Sequence, residues 1–267
     1  MARKGKLIAL VAITVVGVAS LALQSGPPYP LRLKDGSVEV MYWGGFAETL
    51  ESGAIKLAMT GQPLTANLND QGLQVRTSRI DGVVASDSQG NNYLQTATLT
   101  GNVNVDLDQN MANGSGDMTL QTDRVAFAEG ANEAKVTVPG RFTFTENSQT
   151  SGGTRNVTLR GNSGEFSLVP LRNEADERLR TANVRGNVQI DFVLVAADGE
   201  RTVINATADR LTADGPARVY RLLDSVSFEI DTPDFDGITG STNQMTIELA
   251  DDYTLERFTT GGGVGGG

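Results

Sequence analysis

Few residues in this chain could carry out chemistry, and two residue types are missing altogether. Its 267 residues include no His and no Cys. Without His the chain lacks the commonest general base, the commonest transition-metal ligand and the usual activator of a serine nucleophile. Without Cys it has no thiolate, no disulfide framework and no Cys metal site. Catalysis would have to use carboxylates, Lys, Tyr or a hard metal ion. One dense carboxylate cluster stands out: Asp231, Asp234 and Asp236, followed by Gly237. Three Asp in a turn are a candidate for Ca²⁺, although the twelfth-position Glu of an EF-hand is absent. The same three would be the acids of a carbohydrate-active β solenoid. The plainer reading is an acidic loop, and we read the chain as a non-enzyme with no cofactor.

Two further motifs recur. Asp123-Arg124 and Asp209-Arg210 resemble functional pairs, but neighbours along a strand face opposite sides and do not pair with each other. They read as outward charges that pair across strands. Gly101-Asn102 and Gly186-Asn187 are either ligand contacts or turn and bulge residues that need positive φ; the second is the expectation.

The elements that would position these residues are strands. Apolar residues alternate with polar ones at Val38, Val40 and Tyr42, at Leu73 and Val75, at Val103, Val105 and Leu107, and at Phe142 and Phe144. The pattern continues at Val188, Ile190 and Phe192, at Val226, Phe228 and Ile230, and at Met245, Ile247 and Leu249. Period two places each set on one face of a strand. Clusters such as Asn69-Asp70, Gly90-Asn91-Asn92, Asn113-Gly114, Ser151-Gly152-Gly153 and Asp198-Gly199 mark turns. Turn formers interrupting β formers predict many short strands. The segment 173–180 is the one helical candidate and reads as a charged loop.

The ends differ from this body. Arg3, Lys4 and Lys6 precede an uncharged apolar run, Leu7–Leu23, the pattern of an export signal. Its length favours a retained inner-membrane anchor over a cleaved signal peptide, while Ser20 and Ala22 would suit a cleavage site. Residues 1–24 are therefore anchor or signal, with the bulk of the chain outside the cytoplasm. Pro-containing residues 25–35 read as an extended spacer. Residues 36–260 form the β domain, and 261–267 a flexible Gly-rich tail. There are 22 Lys+Arg against 32 Asp+Glu, a net charge of −10, which excludes nucleic acid as a partner.

An internal repeat runs through the domain. Residues 97–107, ATLTGNVNVDL, align with 182–192, ANVRGNVQIDF, at an offset of 85, and Thr122-Asp123-Arg124 aligns with Ala208-Asp209-Arg210. Units fall near 61–100, 101–185 and 186–260. Repeated strand units stack, each covering its neighbour's open edge.

Gly101-Asn102-Val103 followed by Thr122-Asp123-Arg124, and Gly186-Asn187-Val188 followed by Ala208-Asp209-Arg210, resemble the lipopolysaccharide-transport periplasmic proteins of the LptA/LptC (OstA-like) group. A single N-terminal anchor looks like the LptC branch. The resemblance covers residues 50–260; the chain is longer than a typical LptC, and 35–52 match nothing in the family. It implies an all-β, elongated open jelly roll or folded-over antiparallel sheet (a β-taco), with one N-terminal transmembrane helix. It also implies acyl chains of a lipid or glycolipid in a trough, edge-to-edge β pairing with other bridge proteins, and an inner-membrane ABC transporter as a possible partner. The trough candidates are Val103, Val105, Leu107, Phe142, Phe144, Val188, Ile190, Phe192, Phe228 and Ile230; the competing reading is ordinary sandwich core. A structural or adhesive β scaffold without cargo is the alternative function.

Overall fold

The computed structural model of the chain describes residues 28–261, apart from 33–35, 37, 70–71, 88–89, 91, 112–113, 172, 174–177, 234 and 251–253. The apolar run Leu7–Leu23 and residues 262–267 lie outside the described residues. So do residues 174–177 of the segment 173–180. Among the described residues no helix is long and apolar enough to cross a membrane.

The described chain is all-β. Its strands are β1 (Tyr29–Arg32), β2 (Val38–Tyr42), β3 (Gly44–Thr49), β4 (Ile55–Leu68), β5 (Leu73–Ser86), β6 (Asn92–Met111), β7 (Gly114–Glu129) and β8 (Ala134–Val138). They continue with β9 (Phe142–Thr150), β10 (Gly153–Gly161), β11 (Ser163–Leu168), β12 (Leu179–Ala196), β13 (Arg201–Asp214), β14 (Val219–Thr232), β15 (Phe235–Leu249) and β16 (Leu255–Gly261). All belong to one 16-stranded sheet. Each neighbouring pair, from β1–β2 to β15–β16, is antiparallel.

Most strands are longer than the turn formers suggest, because many of those residues sit inside strands. Gly101-Asn102 does not end β6. Pairing with β7 runs to Thr100↔Arg124 and resumes at Val103↔Thr122, so two residues oppose Asp123 alone. Gly101 and Asn102 have φ of 83° and 48°. The arrangement recurs in β12, where Gly186 and Asn187 have φ of 73° and 49° opposite Asp209. A third copy in β14 is made without glycine: Asp224 and Ser225, φ 63° and 51°, oppose Asn243. These are β-bulges, which bend a strand and sharpen its twist. Recurring on β6, β12 and β14, and joined by the bends of the strands between them, they fold the sheet.

The intervening strands complete the fold line differently. Inward residues of β5 run Leu73, Val75, Thr77, then Ile80, so the stripe slips by one position at the bend. β7 and β13 slip likewise, before Val125 and before Leu211. A threonine marks several of these slips. The Thr77 hydroxyl donates to the Thr100 carbonyl at 2.9 Å, that of Thr122 to Arg141 at 2.9 Å, and that of Thr242 to Gly261 at 2.8 Å. Ala208 takes this place in β13. There the Arg210 guanidinium meets Asp224 at 2.8 Å, and Ser225 donates to Asp209 at 3.1 Å. The Asp-Arg motif thus does pair across strands, at its second copy.

On either side of the line lie two arms. One, the β8 arm, contains β3, β8, β11 and β16 with the adjoining halves of the long strands. The other, the β9 arm, contains β1, β2, β9 and β10 with the remaining halves. β8 with β9, and β10 with β11, each form one interrupted crossing: β7 pairs with both β8 and β9, and β12 with both β10 and β11. Side chains of the two arms meet inside. Phe142 and Phe166 touch edge-on with centroids 5.7 Å apart, and Phe192 and Tyr220 at 5.1 Å.

Three sequence boundaries change. The unit boundaries near 101 and 186 fall inside β6 and β12, because what repeats is a bent strand and not a strand-turn-strand unit. Tyr29–Arg32, within the expected spacer, pair with β2. Pro30 fits there because β1 is an edge strand among the described residues, the place in a sheet where proline is tolerated. Gly261, placed in the tail, is the last residue of β16.

Candidate functional site

Between the arms the interior is packed unevenly along the sheet. From β12 to β15 it is filled: Phe192, Ile204, Leu222, Ile230, Met245 and Ile247 have 0 % exposure. From β2 to β12 an apolar cavity of about 200 Å³ remains. The β9 arm contributes Val40, Val75, Val105, Leu120 and Phe144, among others. The β8 arm contributes Ile80, Leu99, Val125, Phe127 and Phe166. Among the described residues of the lining only Asn92 and Tyr93 carry side-chain N or O atoms. A space with so few hydrogen-bonding partners holds water poorly and favours apolar occupants.

Buried charged groups stand on both arms. Glu146 follows Phe144 by one step along the inward face of β9, and its cross-strand partner Met118 lines the cavity. Glu146 accepts a hydrogen bond from Arg155 of β10, and both side chains are buried. Glu129, at the end of β7 on the opposite arm, is buried and accepts from the Leu171 backbone N–H at 3.0 Å. Burial pulls the nearby Arg178 guanidinium below its usual pKa, with the Glu129 charge opposing that shift. Charge inside a low-dielectric fold is costly unless paired, and Glu146 meets this with Arg155, Glu129 with the Leu171 N–H.

The ten residues singled out from sequence separate in space. Val105, Leu107 and Phe144 line the cavity. Val103 and Phe142 are buried beside the fold line, under a polar groove on the outer face. Val188, Ile190, Phe192 and Ile230 lie in the filled part, and Phe228 packs half-buried against it. The β8-arm lining was missed. Its stripes, such as Val125 with Phe127, were visible, but the phase slip at each bend hides that they face Leu120 and Val105. Asp231 is exposed at the end of β14; Asp234 lies outside the described residues, and Asp236 falls in β15. Among the described residues no three acidic side chains converge on a metal site.

Compared with family models, with curated proteins and with solved structures, the chain shows no match.

Proposed function

We propose that the chain is a non-enzymatic carrier that shelters acyl chains of a lipid or glycolipid between its two arms, as one element of an envelope-spanning bridge. The observation that carries this reading is the unfilled apolar cavity lined from both arms. Well-packed proteins leave few voids larger than a water molecule. An acyl chain entering such a space gains about 0.8 kcal/mol per buried CH₂. The folded sheet is then an open trough of the β-taco kind, and the run Leu7–Leu23 anchors it in the inner membrane. Among the described residues the sheet is open at β1 and β3 on one side and at β16 and the 235–242 half of β15 on the other. Unpaired strand edges are templates for another chain. Trp43 and Phe46, both exposed, lie at the β3 end and suit that contact. An ABC transporter would be the source of cargo.

The test is photo-crosslinking from single benzoyl-phenylalanine substitutions in the full chain expressed in a Gram-negative host. Val105 and Phe144 should capture a lipid identifiable by mass spectrometry, and Ile190 and Ile230 should not. Absence of lipid at all four positions overturns the proposal. It would leave the alternative, a cargo-free β scaffold, which the filled interior from β12 to β15 favours.

A further inference from the structure

A groove of about 820 Å³ runs over the outer face of the β9 arm, beside the fold line and away from the apolar interior. Its backbone is one cross-strand row: Arg76↔Asn104, Gln121↔Thr143, Thr143↔Arg160 and Arg160↔Gln189 lie opposite one another on successive strands. From β5 to β12 the row crosses five strand gaps, about 24 Å at the usual spacing. The bulge residues Asn102 and Asn187, 85 positions apart in sequence, both line it. Their left-handed backbone brings the two copies of the repeated motif into one groove.

The groove's charge opposes that of the molecule. Among the described residues its lining holds Arg76, Arg141 and Arg160 against a single carboxylate, Asp123, in a chain of net charge −10. Arg160 is steadied by Asp191 at 2.9 Å. Arg76 and Arg141 have no ion pair among the described residues. The Arg141 backbone is fixed by the Thr122 hydroxyl. Gln121, Gln189 and the two bulge asparagines line the groove with them. Side-chain amides both donate and accept, which suits hydroxyl groups that do the same. The floor is fully laddered sheet, so an extended peptide finds no edge to join. Three cations fall well short of the phosphate contacts that hold nucleic acid.

We propose that this groove is a second binding site, for an anionic polysaccharide lying across the strands, with Arg76 and Arg141 taking its carboxylate or phosphate groups and the amides its hydroxyls. This goes beyond the lipid reading and does not depend on it.

Isothermal titration of the full chain should compare polygalacturonate, phosphomannan, neutral dextran and poly-L-glutamate. Binding of either anionic glycan is expected, weakened by salt and weakened at least ten-fold by Arg76→Gln with Arg141→Gln; which glycan binds names the anion. Both arginines are exposed, so the variant should keep its circular dichroism spectrum. Arg257→Gln, on β16 of the other arm, should leave binding unchanged. The proposal is overturned if neither anionic glycan binds, if dextran or polyglutamate binds equally well, or if the double substitution has no effect.

Discussion

Single side chains at the bends do much to hold this sheet folded. The Thr77 hydroxyl is buried where two strands change register, and it serves the Thr100 carbonyl as donor. Thr77→Val keeps the shape and strands that carbonyl, so a loss of about 1–3 kcal/mol is expected in urea unfolding. The buried Glu146–Arg155 pair behaves differently. Glu146→Leu alone leaves a guanidinium without its carboxylate and should cost about 3–5 kcal/mol. Glu146→Leu combined with Arg155→Met should recover most of that loss, measured by the same unfolding curves. If the double variant is as unstable as the single one, the pair is needed for more than charge balance. None of this was legible in sequence. Thr77 looks like any strand threonine, and Glu146 and Arg155 look like solvent-facing residues flanking the Ser151-Gly152-Gly153 turn.

At the scale of a strand, the Gly-Asn motifs were read as residues of positive φ, and they are. What sequence concealed was that they bend strands without ending them. A count of period two breaks at Thr77-Ser78-Arg79 and before Val125, so each long strand reads as two short ones. The β14 bend was invisible because Asp224-Ser225 replaces Gly-Asn. At Gly186 a side chain would have to adopt φ 73°, and its Cβ would lie 2.9 Å from Asn162. Gly186→Ala should therefore destabilise by roughly 1–2 kcal/mol, the usual penalty for a left-handed L-residue. An unchanged urea midpoint would mean the bend relaxes freely. The turn at Asp198-Gly199 was legible for a simpler reason: it joins neighbouring antiparallel strands.

Across the whole molecule, packing is graded from an unfilled end to a filled one. Backbone amides of β12–β15 should exchange with deuterium most slowly, and those of β2–β5 faster, because local opening follows buried apolar contact. Uniform protection would argue against such a gradient. All-β character was plain from alternation alone, whereas the position of the cavity was not. Val105 and Ile190 occupy equivalent places in the repeat, yet one faces space and the other solid core. Their surroundings decide it, through strands distant in sequence such as β14 and β15.

The row of bulges has one further consequence. Because the bend recurs in the long strands along the sheet, the profile of the molecule is set locally and its length is free. A duplication of one 85-residue period adds rungs without altering the angle between the arms, much as a gutter is cut to any length from one pressing. A chain built this way can be extended by copying a segment in frame, and a designer could lengthen or shorten it by the same rule.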